Sequence, residues 1–452
     1  MDYKAIIIGA GPAGYTCAIR VAQLGGKVLL IERDLVGGIC VNWGCTPSKA
    51  MISSAKVAMT ARGAAEYGVN TSVSIDFARV AARRDEVITH AREEIAHALA
   101  NHNVEVMAGS GTMLDHNTVQ VAEKTYTAEN IVIATGSAPL IPPFLNKEDP
   151  SIVNSNKLIT IKELPAELTI IGGGIIGMEF ATIFANLGTK VRIVELLPRC
   201  IALMSESVSS ALTKELLEQG VEVLTNHKVI DISQGVLTVE DQTTKEVKKI
   251  NSPLNLIAIG RKAVFDSEML DKLQISYNKK GVQINSYLQT NVPNVYAIGD
   301  ASGESILAHV GIQQGILAAE HMYGLRRPMN YSVIPAVVYT LPEVAVVGKM
   351  PPLEDTLTVR YKYPFSANLR ANIDGHNKGY AEIWLNKSTR KLVYCEIIGD
   401  MAGEIIQSFA NIIALDLEPE QVARIIHAHP TYNEIVRNTL ELALGKAIEY
   451  TA

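Results

Sequence analysis

Apolar residues run from Ala5 to Ile8 and give way at once to a glycine-rich turn. The stretch AIIIGAGPAGYTCAIRVAQLGGKVLLIE, starting at Ala5, predicts a strand, a tight turn, an amphipathic helix and a second strand that ends in an acid. The same pattern returns as LTIIGGGIIGMEFATIFANLGTKVRIVE, starting at Leu168. Aligned without a gap, Gly9, Gly11, Gly14 and Glu32 fall on Gly172, Gly174, Gly177 and Glu195, an offset of 163 residues (172 − 9 and 195 − 32). Ala18, Ala22, Leu24, Gly25, Lys27 and Val28 recur at that offset as well. The chain therefore carries one strand–helix–strand unit twice.

Each unit has the chemistry of a dinucleotide site. The first glycine makes the turn, the second lets backbone approach a pyrophosphate, and the third allows close helix–strand packing. The helix N-terminus then offers unpaired N–H groups and a positive dipole end to the phosphates. Glu32 and Glu195 stand where an acid binds ribose hydroxyls. A 2′-phosphate within about 4 Å of Glu195 would cost roughly 4 kcal/mol at an effective dielectric near 20, which favours NAD over NADP. Arg192 and Arg199 lie close enough in sequence to soften that preference.

The 452 residues exceed what one core supports, so two to four domains are expected. A hydrophobic share of 48% beside 19% charged residues is that of an ordinary globular protein. The net charge of −6 gives no electrostatic reason for binding nucleic acid or an anionic membrane. The most lipid-like stretch, Leu168 to Gly188, carries Glu179 and five glycines, which argues against a membrane span. No basic region precedes a long apolar run. The expectation is a soluble, cytoplasmic protein, or one of the mitochondrial matrix if the chain is a mature eukaryotic one.

Five cysteines at 17, 40, 45, 200 and 395 are too few and too scattered for a secreted disulfide framework. Only Cys40 and Cys45, within VGGICVNWGCTPSKAM, lie close together. They admit three readings: two buried thiols, a metal site, or a redox pair. A four-residue gap without a nearby histidine suits zinc poorly, so no metal is expected. On a regular helix, positions i and i+5 have Cα atoms roughly 8.7 Å apart, beyond the roughly 7 Å a disulfide tolerates. A bridge would need an irregular turn, for which Gly37, Gly38 and Gly44 provide freedom. A helix starting here helps a thiolate by about 2 kcal/mol at most. Lowering a thiol from about 8.5 to about 5 takes nearly 5 kcal/mol, so a further partner is expected.

At these residues the chain resembles the two-cysteine pyridine nucleotide–disulfide oxidoreductases, whose redox motif reads GGxCxNxGCxPSK after a dinucleotide fold. Trp43 and Thr46 depart from the small apolar residues usual there. IVIATGSAP (131–139), LIAIGRKAV (256–264), VYAIGDAS (295–302), LAHVGIQQG (307–315) and VIPAVVYTLPEVAVVG (333–348) extend the likeness along the chain. The resemblance implies an α/β protein with two nested Rossmann-like domains and a C-terminal α+β dimerisation domain. An FAD domain would span 1–145 and resume over 263–330, an NAD domain 146–262, and the dimerisation domain 331–452. Cys45 would face the flavin and Cys40 would exchange with substrate, while Lys49 and Glu179 pair between flavin and nicotinamide. Asp300 would bind the flavin's ribityl or phosphate region. Gly109, Thr135, Gly136, Val229, Gly260 and Ala308 would also touch cofactor.

HAHPTYNE, from His427 to Glu434, supplies the group that thiol–disulfide exchange needs to hold a proton. By the same resemblance His429 is the base and Glu434 fixes its tautomer, whereas nothing marks His427. His429 lies 384 residues beyond Cys45 (429 − 45), and the resemblance implies that the second subunit of a homodimer brings it in. No cysteine stands in the terminal GKAIEYTA. That absence, Glu195 after Gly174-Ile175-Ile176, and the wording HAHPT are similar to the family's NAD-linked, lipoamide-oxidising branch. Dihydrolipoamide on a lipoyl domain is the expected substrate, within a 2-oxo acid dehydrogenase or glycine cleavage complex. Reduction of another small disulfide or a quinone, or service mainly as a docking subunit, are the alternatives.

Overall fold

The computed structural model describes residues 1–352 and 354–450, so Thr451 and Ala452 of the expected C-terminal domain lie outside the described residues. Its first sheet places Glu105–Ala108, Val28–Glu32, Tyr3–Ile8, Lys124–Ile133 and Val295–Ala297 side by side and parallel. Thr118–Val121 and Gly111–Met113 extend it antiparallel. Ile6, Ile7, Leu29 and Leu30 are fully buried, because helices or loops cover both faces of the parallel strands. The Pro12–Gln23 helix packs against Ala308–His321, and no side chain fits between them at Gly315, whose Cβ would stand 2.4 Å from the Ala13 carbonyl oxygen.

A second parallel sheet has the order Glu222–Leu224, Lys190–Val194, Glu167–Ile171, Asn255–Ile257, Ile152–Asn154. A three-stranded antiparallel sheet, His227–Ser233 with Val236–Asp241 and Val247–Asn251, is inserted before its last-formed strand, Asn255–Ile257. The two units are joined by a short antiparallel pair, Ser137–Pro139 with Arg261–Ala263.

The C-terminal part is a five-stranded antiparallel sheet with the order Ala336–Val338, Glu343–Gly348, Leu392–Gly399, Tyr380–Asn386, Thr358–Pro364. Helices Ala402–Ala414 and Glu434–Ala443 close one face over Phe409, Ile405, Ile435 and Leu440. The other face meets the second unit, where Val344 and Ile398 join a core with Leu212 and Met178. The architecture is α/β with an α+β C-terminal domain, as the sequence implies. Among the described residues no helix is long and apolar enough to cross a membrane.

Candidate active site

The two repeated turns superpose in their chemistry. Gly11 and Gly174 are the residues before their helices, and neither helix start has a side-chain cap. A Cβ on Gly14 would lie 1.9 Å from the Gly9 carbonyl oxygen, and one on Gly177 would lie 2.0 Å from that of Gly172. Helix and strand therefore touch through bare backbone. Around Gly11 and Gly174, by contrast, a Cβ would meet nothing within 4 Å, which leaves room for a pyrophosphate at each helix end. Glu32 accepts the Ala10 N–H at 2.7 Å and the Asp34 N–H at 2.9 Å. Glu195 accepts the Gly173 N–H at 2.5 Å and the Leu197 N–H at 2.8 Å. Each acid locks its glycine turn and keeps oxygen lone pairs for a ribose. Both sites fit a dinucleotide.

The other expected cofactor residues gather at these turns. Gly109 donates its N–H to the Glu32 carbonyl at 2.8 Å. The Thr135 hydroxyl donates to the Val264 carbonyl, and the Gly136 carbonyl accepts from the Val264 N–H at 2.9 Å. Asp300 lies in the single turn Gly299–Ser302, just ahead of the helix that Ala308 begins, and that turn rests on Ala13. Gly260 follows the Asn255–Ile257 strand of the second sheet, and its carbonyl accepts from Leu140 N–H at 3.0 Å. Val229 lies on the inserted sheet opposite Val239 and packs with Leu145, Ile171 and Val194. A further correspondence escaped the sequence reading: Gly9 is backed by Ala134 and Gly172 by Ala258, so IATG and IAIG are equivalent pieces of the two units.

The cysteine segment breaks where its geometry demands. Gly38–Asn42 forms one short helix, Trp43 and Gly44 interrupt it, and Cys45 begins the helix that runs to Gly63. Gly37 and Gly38 have φ of +95° and +55°, and a Cβ on Gly38 would sit 2.7 Å from Gly11 Cα. The redox segment is thereby pressed directly onto the first nucleotide turn. Asn42, which the sequence reading passed over, braces it: its Nδ2 donates to the carbonyls of Val36 and Gly38 at 3.1 and 2.9 Å. Its place inside the quoted motif was the available signal.

Cys40 and Cys45 are held as thiols in hydrogen-bond contact. The Cys40 S–H donates to the Cys45 sulfur, and this bond, helped by the Lys49 ammonium, draws the Cys45 thiol below its ordinary value against the opposing effect of burial. Cys40 moves the other way, raised by giving that bond and then by burial. The further partner that helix electrostatics required is therefore within the chain. Lys49 lies one turn along the same helix face and pairs with both oxygens of buried Glu179, at 2.9 and 3.0 Å. The pairing crosses from the first unit to the second.

His429 and Glu434 form a separate pair. Glu434, buried at the start of the Glu434–Ala443 helix, meets His429 Nδ1 at 3.0 Å and accepts the Thr431 N–H at 2.9 Å. Burial acts to raise its carboxyl, but Thr431, His429 and Arg437 outweigh it and hold the group below its usual range. The imidazole is 59% exposed, and no hydrogen bond or ion pair among the described residues joins it to Cys40 or Cys45 in the same chain. His427 only approaches the Ile425 carbonyl, at 2.8 Å.

The model of the family described as pyridine nucleotide-disulphide oxidoreductase matches residues 3–315, and that of its dimerisation domain matches 334–440. The chain belongs to this family. It is 35% identical to dihydrolipoyl dehydrogenase of Geobacillus stearothermophilus, over 99% of this chain and 97% of that one. Against the mitochondrial dihydrolipoyl dehydrogenase of Schizosaccharomyces pombe it is 34% identical, over 99% and 91%. Among solved structures, the HOCl-induced flavoprotein disulfide reductase RclA from Escherichia coli is similar with a TM-score of 0.87 at 25% identity, covering 97% of this chain and all of that one. LpdA from Mycobacterium tuberculosis shares the fold with a TM-score of 0.89 at 23% identity, over 97% and 98%. As a member of this family the chain is an oxidoreductase whose cofactors are FAD and NAD. The matched dimerisation domain supports a homodimer.

Proposed function

We propose that this pyridine nucleotide-disulphide oxidoreductase oxidises dihydrolipoamide carried on a lipoyl domain and delivers the electrons to NAD. The observation that carries the reading is the Cys40–Cys45 thiol pair at a helix start, with Lys49 one turn away and paired to Glu179 of the second nucleotide unit. Similarity to dihydrolipoyl dehydrogenases along nearly the whole chain supports the substrate. Residues 1–145 and 263–330 are assigned to FAD, 146–262 to NAD and 331–452 to dimerisation. FAD, when bound, supplies a two-electron carrier between the cysteine pair and the nicotinamide.

The residues divide the work. With Cys40 and Cys45 oxidised to a disulfide, one substrate thiolate attacks Cys40 and the bond to Cys45 breaks. His429 takes the proton of the incoming thiol, oriented by Glu434. The second substrate thiol then displaces Cys40, so the dithiol leaves as a disulfide and both cysteines are reduced. Cys45, the more acidic thiol, is held as thiolate by Cys40 and Lys49. Glu195 would meet the ribose of a bound NAD without cationic competition, because Arg199 donates to the carbonyls of Ala202, Met204 and Ser205, and Arg192 pairs with Glu222 at 2.7 Å.

The exposed His429 and its separation from Cys45 support a site shared between subunits. Exposed Ile425 and Ile426 beside it give such a contact an apolar component. A lipoyl-bearing substrate implies service in a 2-oxo acid dehydrogenase or glycine cleavage complex. Mixed dimers test the sharing: His429→Ala and Cys45→Ser subunits, each inactive, regain about a quarter of wild-type activity after random exchange, one intact site per heterodimer. Verified exchange without recovery places both residues in one chain's site.

Anaerobic titration with dihydrolipoamide, followed in the visible spectrum and then by adding NAD, tests the substrate. A long-wavelength charge-transfer band that NAD discharges with formation of NADH is the expected result. If dihydrolipoamide leaves the spectrum unchanged while NADH alters it, another disulfide or a quinone is the substrate, and likeness to the E. coli disulfide reductase favours the disulfide.

A further inference from the structure

The Lys49–Glu179 pair has a third member from the C-terminal domain. Tyr339 directly follows the short strand Ala336–Val338 and is only partly buried, between fully buried Val338 and Thr340. Its ring lies 4.3 Å from the Lys49 ammonium, measured to the centroid. Its backbone N–H donates to Glu179 Oε1 at 2.9 Å. One residue thus holds the cation by its face and the anion by its backbone.

The turn that presents Tyr339 is itself fixed. The Thr340 hydroxyl donates to the Pro342 carbonyl at 2.6 Å, and Gln219 Nε2 donates to the Leu341 carbonyl at 2.5 Å. Gln219 in turn accepts from Asn186 of the helix that carries Glu179, at 2.8 Å. The aromatic face therefore reaches Lys49 from a backbone braced against the Glu179 helix.

We infer that Tyr339 is a positioning residue for the reaction proposed above, and that it acts through Lys49. Ion pairing alone leaves a flexible lysine free to rotate about the carboxylate. A ring face 4.3 Å away gives the ammonium a second partner and confines it. The hydroxyl takes no part in this, because the face and the backbone N–H make both contacts. The inference rests on the assignment of Lys49 and Glu179 to the flavin–nicotinamide junction, but the contact itself is read without cofactor turnover.

Three replacements at 339 separate the ring from its bulk: Tyr339→Phe keeps the face, Tyr339→Leu removes it, and pentafluorophenylalanine keeps the shape with the quadrupole reversed. In the FAD-loaded protein, acylation of Lys49 by an amine-directed reagent is followed by peptide mass spectrometry. The Phe variant should match the wild type, and the Leu and pentafluoro variants should acylate about tenfold faster. Stopped-flow reduction by NADH, which needs no disulfide substrate, should slow by about the same factor in those two variants and not in Phe. In a Lys49→Met background, Tyr339→Leu should add nothing to the NADH rate. Equal acylation in the Phe and pentafluoro proteins would overturn the role of the ring. Changed acylation with an unchanged NADH rate would confirm the contact and sink its part in the reaction. A wild-type protein that NADH does not reduce would instead overturn the functional reading, leaving the acylation result to decide the clamp.

Discussion

A thiol whose ionisation is eased at a helix start needs specific neighbours, and Cys45 has two. The Cys40 hydrogen bond comes first and the Lys49 ammonium second. Alkylation of Cys45 in the reduced protein should therefore titrate below the ordinary thiol range, read by mass spectrometry across a pH series. Cys40→Ala deletes the donor and should move that midpoint up toward the ordinary thiol range of about 8.5. A midpoint that stays put would mean that Lys49 and the helix suffice. Both cysteines were legible in the sequence because their chemistry is written within six positions. Tyr339 was not, although the stretch VVYTLPEV was noticed, because its partners stand 290 and 160 residues away (339 − 49 and 339 − 179). Arg261 was missed for the same reason. Its Nε donates to the Ser137 hydroxyl at 2.8 Å, and that hydroxyl donates to Asp300, a chain spread over three separate segments.

At the scale of elements, the repeated strand–turn–helix could be read at sight because glycine spacing and strand periodicity are local properties. The contact between the third glycine and the first carbonyl leaves no room for a methyl group in either copy. Gly14→Ala should yield a protein purified without yellow colour, whereas Gly177→Ala should yield a yellow one that NADH reduces at least tenfold more slowly. Absorbance of the purified proteins and anaerobic NADH addition decide it. The same defect in both variants would mean that the two units are not assigned to different nucleotides. Less legible was the antiparallel insert from His227 to Asn251, whose strands bury one face only over Leu237 and Val239. Its counterpart in the first copy, the antiparallel strands Gly111–Met113 and Thr118–Val121 with the start of Lys124–Ile133, shares its place in the chain order but not its sequence.

Across the whole molecule, the C-terminal sheet meets the second nucleotide unit through a group seldom placed in a core. Glu396 is fully buried and stands across the strand pair from Glu382. Ser205, which caps the Glu206–Glu218 helix of the other unit, donates to it at 2.6 Å, Ser207 at 3.3 Å, and Tyr394 at 3.4 Å. Lys362 lies 3.3 Å from Glu382. Burial raises Glu396 to about 7; Ser205 opposes that rise and Glu382 adds to it. The folded protein thus holds this proton more tightly than the unfolded chain, whose carboxyl sits near 4.5. The resulting stability is fully present below pH 4.5 and is lost as pH rises through 7. Glu396→Gln should match the wild type in urea unfolding at pH 5 and exceed it at pH 8, by roughly 3 kcal/mol. A constant difference at both pH values would remove Glu396 as the titrating group. The same hydrogen bond governs recombination between relatives. A chimera that imports residues 146–262 from a homologue without hydroxyls at positions 205 and 207 leaves Oε1 of this buried carboxyl without a donor and Tyr394 as its remaining one, so the nucleotide unit and the C-terminal sheet are best exchanged together.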